Sequence, residues 1–273
     1  MQDEFGRFEH EGWQRVANKY DSVWSTSTRQ FILPLLDLAE VGIGLDVLDA
    51  GCGPGYVAAA AAERGARVIG VDFSDEMISI ARELFPAIQF QTGDAQQLPF
   101  ERGKFDRVLM SFALLHVSDP ARVCEEVCRV LRPGGWFGFT VWAPPAVNPY
   151  ARLIDDALDA NADLNVSLPS GPDHYVYSNT DAFRTAMSEA GFDAASMKLK
   201  LHTIEWIVPS PAFVFEAERD AGVRTAGLLA RQSPDRLQRI REAIEQGMKE
   251  YARPNGFAVP KAAHIVAVMK PKH

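Results

Sequence analysis

The chain has 273 residues, enough to bury roughly three quarters of its unfolded surface, and its net charge of −8 argues against an extended phosphate backbone as partner, so no nucleic acid is expected. Its three cysteines make no disulfide framework, because Cys124 and Cys128 sit one helical turn apart and Cys52 lies in a glycine loop. The acidic start MQDEFGRFEHEGW lacks the basic and apolar regions of a signal peptide, and no apolar run approaches the ~20 residues of a membrane span, so a cytoplasmic protein is expected.

Residues 1–44 are helical in pattern, with Trp13, Tyr20 and Trp24 ahead of a FILPLLDLAEV helix. From 46 to 142 short β-branched runs alternate with helical ones. DVLDA is the first strand, and after it Gly51, Gly53 and Gly55 stand at alternate positions, as a sharp strand-to-helix turn requires. The spacing excludes a P-loop, which ends in Gly-Lys-Ser/Thr. It also excludes the dinucleotide fingerprint, whose third glycine or alanine would fall at Tyr56.

The helix GYVAAAAAERG stops at Gly65, and RVIGVD over 67–72 is the second strand. Ser74 caps the next helix, with Asp75 and Glu76 in its first turn. IQFQ, FDRVLMS and GWFGFTVW are three further strands, separated by a polar loop and by a helix around ARVCEEVCRVL. This alternation predicts a doubly wound α/β sheet. The proline-rich stretch 143–178 reads as an irregular excursion with one short helix. A helix at 180–190 and strands near 194–207 and 262–269 complete the sheet. Within 209–255, Leu237, Ile240, Ile244, Met248 and Tyr251 form a helical stripe behind Ser233 and Pro234.

In a parallel sheet ligands bind at the C-terminal strand edge. There Asp72, 21 residues after Gly51, can accept both hydroxyls of a ribose, and Asp94 in GDAQQLPF can take an exocyclic amine. The pair reads an adenosine without needing a phosphate. The motif D-x-G-x-G-x-G at 49–55, Asp72, GDAQQLPF, FDRVLMSFALLHV and RVLRPGGWFGFTVW together resemble the class I S-adenosylmethionine-dependent methyltransferases, in the small-molecule branch that includes ubiquinone and menaquinone methyltransferases.

The resemblance implies a Rossmann-like seven-stranded sheet, S-adenosyl-L-methionine as cofactor and S-adenosyl-L-homocysteine as its product. It implies that Gly51, Cys52 and Gly53 face the methionine part, with Asp49 anchoring the loop, and that Gly55 also belongs to the cofactor-binding residues. Asp72 would bind the ribose, Phe73 and Met77 would line the adenine, and Gly93, Asp94 and Ala95 would meet its edge. Ser111 and Phe112 would complete the floor, and the strand at 262–269 would be antiparallel.

What is missing narrows the acceptor. SFALLHV after the fourth strand is not the Asn/Asp-Pro-Pro-Tyr/Phe motif of amino methyltransferases on bases or glutamine. Neither Cys124 nor Cys128 follows a proline as a cytosine nucleophile does, and Ser111 stands where metal-dependent catechol enzymes place a ligand aspartate. The expectation is metal-free in-line transfer to a small, largely apolar or aromatic metabolite. His116 is the candidate general base, and Tyr20 resembles the N-terminal tyrosine that closes over the cofactor in relatives. Trp24, Trp142, Tyr175 and Tyr177, with Phe213 and Phe215, are expected around the acceptor. The alternatives are a non-methylation reaction on the same cofactor and a macromolecule methyltransferase. The chain reads as a single domain over 1–273. Residues 1–44 form a helical lid, 45–142 the cofactor-binding core, 143–178 and 209–255 cap insertions over the C-terminal strand edge, and 179–208 with 256–273 the remaining core.

Overall fold

The computed structural model describes residues 3–176 and 179–273. The chain opens with α1 (Glu4–Tyr20), which runs on through a π-helical turn at Asp21–Ser25 into α2 (Thr26–Thr28) and, after a 3-10 turn, α3 (Ile32–Leu38). The central strand β1 (Asp46–Ala50) pairs in parallel with β2 (Arg67–Asp72) and β4 (Phe105–Ser111); β3 (Gln89–Thr92) lies outside β2, and β5 (Leu131–Trp142) outside β4. Between them run α4 (Tyr56–Glu63), α5 (Asp75–Leu84) and α6 (Pro120–Val130). Then come α7 (Pro149–Asn161), α8 (Thr180–Glu189), β6 (Asp193–Val208), α9 (Pro211–Ala221), α10 (Arg224–Leu229), α11 (Pro234–Met248), the two-residue β7 (Ala252–Arg253) and β8 (Gly256–Met269).

The sheet order is β3-β2-β1-β4-β5-β8-β6, with β7 paired to β8 alone. β8 is antiparallel to both β5 and β6, so β6 is parallel to β5 and ends at the same edge. The excursions after β5 and β6 therefore both leave from the C-terminal strand edge, as the sequence pattern anticipates. Two boundaries differ. β8 begins at Gly256 rather than near 262, because Pro260 lies past the last β5 pair, Trp142 with Ala263, where its missing N–H interrupts no ladder on that side. The 209–255 stretch holds three helices, and the stripe Ile240, Ile244 and Met248 is buried in the core against α7 and α9.

Successive strand residues face opposite sides of the sheet. Val47 belongs to a cluster with α3, α4, α7, α9 and α11, while its neighbour Leu48 belongs to one with α6 and α8. Burial of both faces explains why β1 reads as a continuous apolar run.

Candidate active site

At the exit of β1 the chain turns through glycines with positive φ. A Cβ on Gly51 (φ +68°) would lie 2.3 Å from the Ala113 Cβ, so only glycine lets the loop pass the end of β4. Gly53 (φ +49°) faces the opposite case: a Cβ there would meet nothing within 4 Å and would project into open space. The Asp72 carboxylate accepts from the Gly53 N–H at 2.8 Å and from the Ser74 N–H at 2.9 Å, which ties the loops after β1 and β2 together. Burial pushes the Asp72 carboxyl above the usual carboxylate range, against the pull of those amides.

These groups line one end of a cavity of about 470 Å³. Phe73 and Met77 lie beside Asp72 in its wall, and Gly93, Asp94 and Ala95 follow at the end of β3. Asp72, Asp94 and the open space at Gly53 border one cradle, which fits an adenosyl group joined to an amino acid; the Asp94 carboxylate also accepts from the Gln96 N–H at 2.8 Å and from its side-chain amide. Ser111 and Phe112 line the cavity next to it. The Ser111 hydroxyl is engaged with that of Thr140 at 3.1 Å. Phe112 takes a left-handed φ of 59°, a strained state for an aromatic residue, and its ring stacks on Trp142 at 4.0 Å.

The middle of the cavity is built from two distant segments. Glu9 of α1 is fully buried, and its Oε2 accepts from the Trp13 indole N–H at 3.1 Å and lies 3.0 Å from the His116 Nδ1. His116, in a 3-10 turn after β4, lines the cavity with Trp13 packed edge-on at 4.8 Å. The Tyr20 hydroxyl lies 3.3 Å from that of Thr28, and both residues line the cavity. Gln14 holds α1 down, its Oε1 accepting from the Ser74 hydroxyl at 2.5 Å and the Glu76 N–H at 3.0 Å.

At the far end, Trp24, Trp142, Tyr150 and Tyr175 form an aromatic wall. The Tyr175 hydroxyl donates to Asp155 at 3.1 Å, and the Tyr150 hydroxyl donates to the buried Glu218 at 2.7 Å. Burial raises both carboxyls. Lys261, 1% exposed, also lines this end, and burial draws its amine down to about 7. His174 comes in from the 143–178 excursion, held at about 4 chiefly by burial and secondly by the charge of His116.

Several residues expected at the site stand elsewhere. Asp49 lies behind the loop, where its Oδ2 accepts from the Ala58 N–H at 3.0 Å and holds the first turn of α4; burial raises it to about 7. Cys52 is buried toward Gly70 and Phe90, and Gly55 closes the loop against the Phe90 ring, so both pack beneath the cavity instead of lining it. Phe213 and Phe215 pack in the core with Trp206 behind the wall. Tyr177 lies outside the described residues. Glu9, Tyr150, Glu218 and Lys261 carry no motif and were not expected. Among the described residues no three His, Cys, Asp or Glu side chains come together as metal ligands, and no helix is long and apolar enough to cross a membrane.

Residues 48–139 match the family model described as a methyltransferase domain. The chain is similar to the demethylmenaquinone methyltransferase of Paenarthrobacter aurescens (strain TC1), 35% identical over 170 residues that cover 59% of this chain and 66% of that protein. It is also similar to the demethylmenaquinone methyltransferase of Renibacterium salmoninarum, 35% identical over 170 residues covering 59% of this chain and 70% of that protein. The matched segment thus spans about two thirds of these curated relatives. Among solved structures, a phosphoethanolamine N-methyltransferase of Haemonchus contortus, in complex with phosphomonomethylethanolamine and S-adenosylhomocysteine, shares the fold at TM-score 0.57 and 19% identity, covering 98% of this chain and 60% of that one.

Proposed function

The chain belongs to the class I S-adenosylmethionine-dependent methyltransferases, and from that premise we propose that it methylates a small, largely apolar aromatic acceptor of the quinol kind, without a metal. The observation that carries this reading is one continuous cavity with the two-carboxylate cradle at one end, an aromatic wall at the other and His116 between them. Residues 6–28, 148–175 and 218–228 all contribute to its lining, and such a covered space suits a metabolite better than a macromolecule.

When bound, S-adenosylmethionine supplies a methyl group already activated on a sulfonium. The protein's part is alignment and exclusion of water. Asp72 accepts the ribose hydroxyls, Asp94 meets the adenine edge, and Phe73 and Met77 flank the ring. Glu9 fixes the His116 imidazole through Nδ1, which leaves Nε2 to take the proton of an acceptor hydroxyl as that oxygen, or a ring carbon conjugated to it, becomes nucleophilic. Helix α1 and Tyr20 roof the site. The metal-free reading rests on Ser111, whose hydroxyl is tied to Thr140 where a ligand carboxylate would stand in metal-dependent relatives.

Calorimetry with S-adenosylhomocysteine and NAD, followed by mass analysis of products from a panel of hydroquinones and phenols, tests the reading. It expects tight binding of S-adenosylhomocysteine alone and a 14-dalton gain on an aromatic acceptor. Equal affinity for NAD, or S-adenosylhomocysteine release with no methylated product, overturns it.

A further inference from the structure

Lys261 is the feature that this function does not use. Its Nζ sits 4.3 Å from the Tyr150 ring centroid, 4.5 Å from Trp142, 4.6 Å from Trp206 and 4.7 Å from Trp24. An ammonium surrounded by four ring faces is held by their negative quadrupoles. Rings do not satisfy N–H donors, however, and among the described residues the only hydrogen bond is a long one, 3.4 Å to the Ser27 hydroxyl. The nearest carboxylate in charge, Glu218, is occupied by the Tyr150 hydroxyl and makes no ion pair with the lysine. A side chain with three donors is therefore buried, aimed into the cavity and short of acceptors, a costly state unless something else completes it.

Its place in the sheet says what that is. Lys261 pairs with Ile204 in β6, two residues beyond the last β5 partner on β8. The order β1-β4-β5-β8 separates it from the Gly51 loop by three strand spacings, about 14 Å. That interval, floored by the stacked Phe112 and Trp142, has room for a ring system between cofactor and lysine. We propose that Lys261 and its cage of Trp24, Trp142, Tyr150 and Trp206 form the subsite for an ionised oxygen carried by the aromatic acceptor at the end away from the methyl donor. Trp24, Trp142 and Tyr150, which line the cavity, take the flat apolar body, the buried Trp206 backs the ammonium from behind, and the ammonium takes the oxyanion through the donors that the protein leaves unpaired. This inference rests on the methyltransferase reading and adds to it the charge of the acceptor.

The titratable groups that face Lys261 are Glu218 on α9 and Tyr150 on α7, and the charge of Glu218 in turn helps to raise Asp155. Tyr150 stays neutral well above the usual phenol range. Ionisation of Glu218 and loss of the Lys261 proton would both weaken anion binding as pH rises, so variants must separate them.

The test titrates the S-adenosylhomocysteine complex with 2-naphthoate and with 2-naphthamide, two probes of one shape and different charge, from pH 6 to 8.5. The native protein should bind the naphthoate at least tenfold more tightly at pH 6 and lose that preference toward pH 8.5. K261M should bind both probes equally at every pH, while E218Q keeps the preference. A native protein without the preference, or a K261M variant that retains it, overturns the inference. Where K261M does not fold, the same pH series on E218Q decides the matter, because it removes the competing carboxylate and leaves the lysine as the titrating group; a preference that does not fall with pH in E218Q overturns the inference. S-adenosylhomocysteine affinity, read in the same experiment, reports separately on the methyltransferase reading.

Discussion

Glu9 and His116 are 107 positions apart in the chain, yet the Glu9 Oε2 lies 3.0 Å from the Nδ1 of His116, directly behind the cavity wall that His116 lines. One comes from the first helix and the other from the turn after β4, so the pair exists only while α1 is docked. Closing the roof thereby also completes the base. Glu9→Gln should lower kcat by roughly tenfold to a hundredfold, part of the 10²–10⁴ that a positioned base supplies. Its S-adenosylhomocysteine affinity should stay within about twofold, because Glu9 touches no cradle residue. Steady-state kinetics beside calorimetry checks this; an unchanged kcat would leave Glu9 a packing residue.

A second expectation concerns the cradle. Asp72 is an anion placed against two backbone amides and open space where ribose hydroxyls would lie. Asp72→Asn keeps the size but replaces one acceptor with an NH₂ group that faces a donor. A hydrogen bond to a charged group contributes about 1.5–3 kcal/mol, so S-adenosylhomocysteine should bind roughly ten- to a hundredfold more weakly. Unchanged affinity would put the ribose elsewhere.

The cradle was legible in the sequence because its parts are local. The Gly51–Gly53 loop and Asp72 are fixed by their distance from strand ends, and parallel pairing of β1 and β2 then brings them together. The acceptor end was not legible. Lys261 reads as a polar break in the run AVPKAAHIV, and nothing near it in the chain announces that Trp24, Trp142, Tyr150 and Trp206 surround it. Those four rings come from four different elements, and the polar group that completes the wall, Glu218, sits on a fifth. Counting aromatic residues in the cap segments instead pointed to Phe213 and Phe215, which the helices turn into the core. Cys52 and Gly55 share the loop motif but serve packing on Phe90, since alternate positions in so tight a turn cannot all face one side.

Turnover should not depend on a divalent cation. With Ser111 tied to Thr140, the end of β4 offers a hydroxyl pair and no carboxylate. Exhaustive chelation should leave kcat within about twofold of the untreated enzyme. Activity lost to chelator and restored by magnesium would show that the acceptor is held through a metal.

The buried lysine gives stability a particular pH slope. Its amine titrates at about 7 in the folded chain, against 10.5 as the ordinary value. Between those values the unfolded chain holds a proton that the folded chain has released, so folding becomes more favourable as pH rises through that window. Glu218 is shifted the other way, and its slope is opposite. Melting the E218Q protein with and without K261M therefore isolates the lysine. The lysine-containing protein should gain stability relative to the methionine one from about pH 7 upward, and K261M should be the more stable below it. Parallel stability curves would mean that the lysine stays charged on folding.

The roof must open, because the cofactor and its product cannot pass a docked α1. Trp24 is held by its indole N–H on the Ala221 carbonyl at 2.8 Å and by stacking on Trp206 at 5.5 Å, and Ser27 is fully buried. These residues pack into the core, so within the 1–44 helical segment the movable part is expected to end before the π-helical turn at Asp21–Ser25, a distortion of the kind that marks a functional bend. What keeps α1 closed on the cofactor side is Gln14 on the first turn of α5 and His10 against Phe73 at 5.4 Å. Hydrogen exchange over residues 4–20 should be fast in the free protein and slow with S-adenosylhomocysteine and acceptor bound, while 24–28 stays protected in both. Gln14→Ala should raise exchange in the bound state and increase KM for the cofactor. Removing residues 3–20 should leave a folded protein that binds S-adenosylhomocysteine and has lost turnover, since it lacks both Glu9 and the cover against water. Equal protection of 4–20 in the two states, or a truncated enzyme with full kcat, would take the moving roof out of the mechanism.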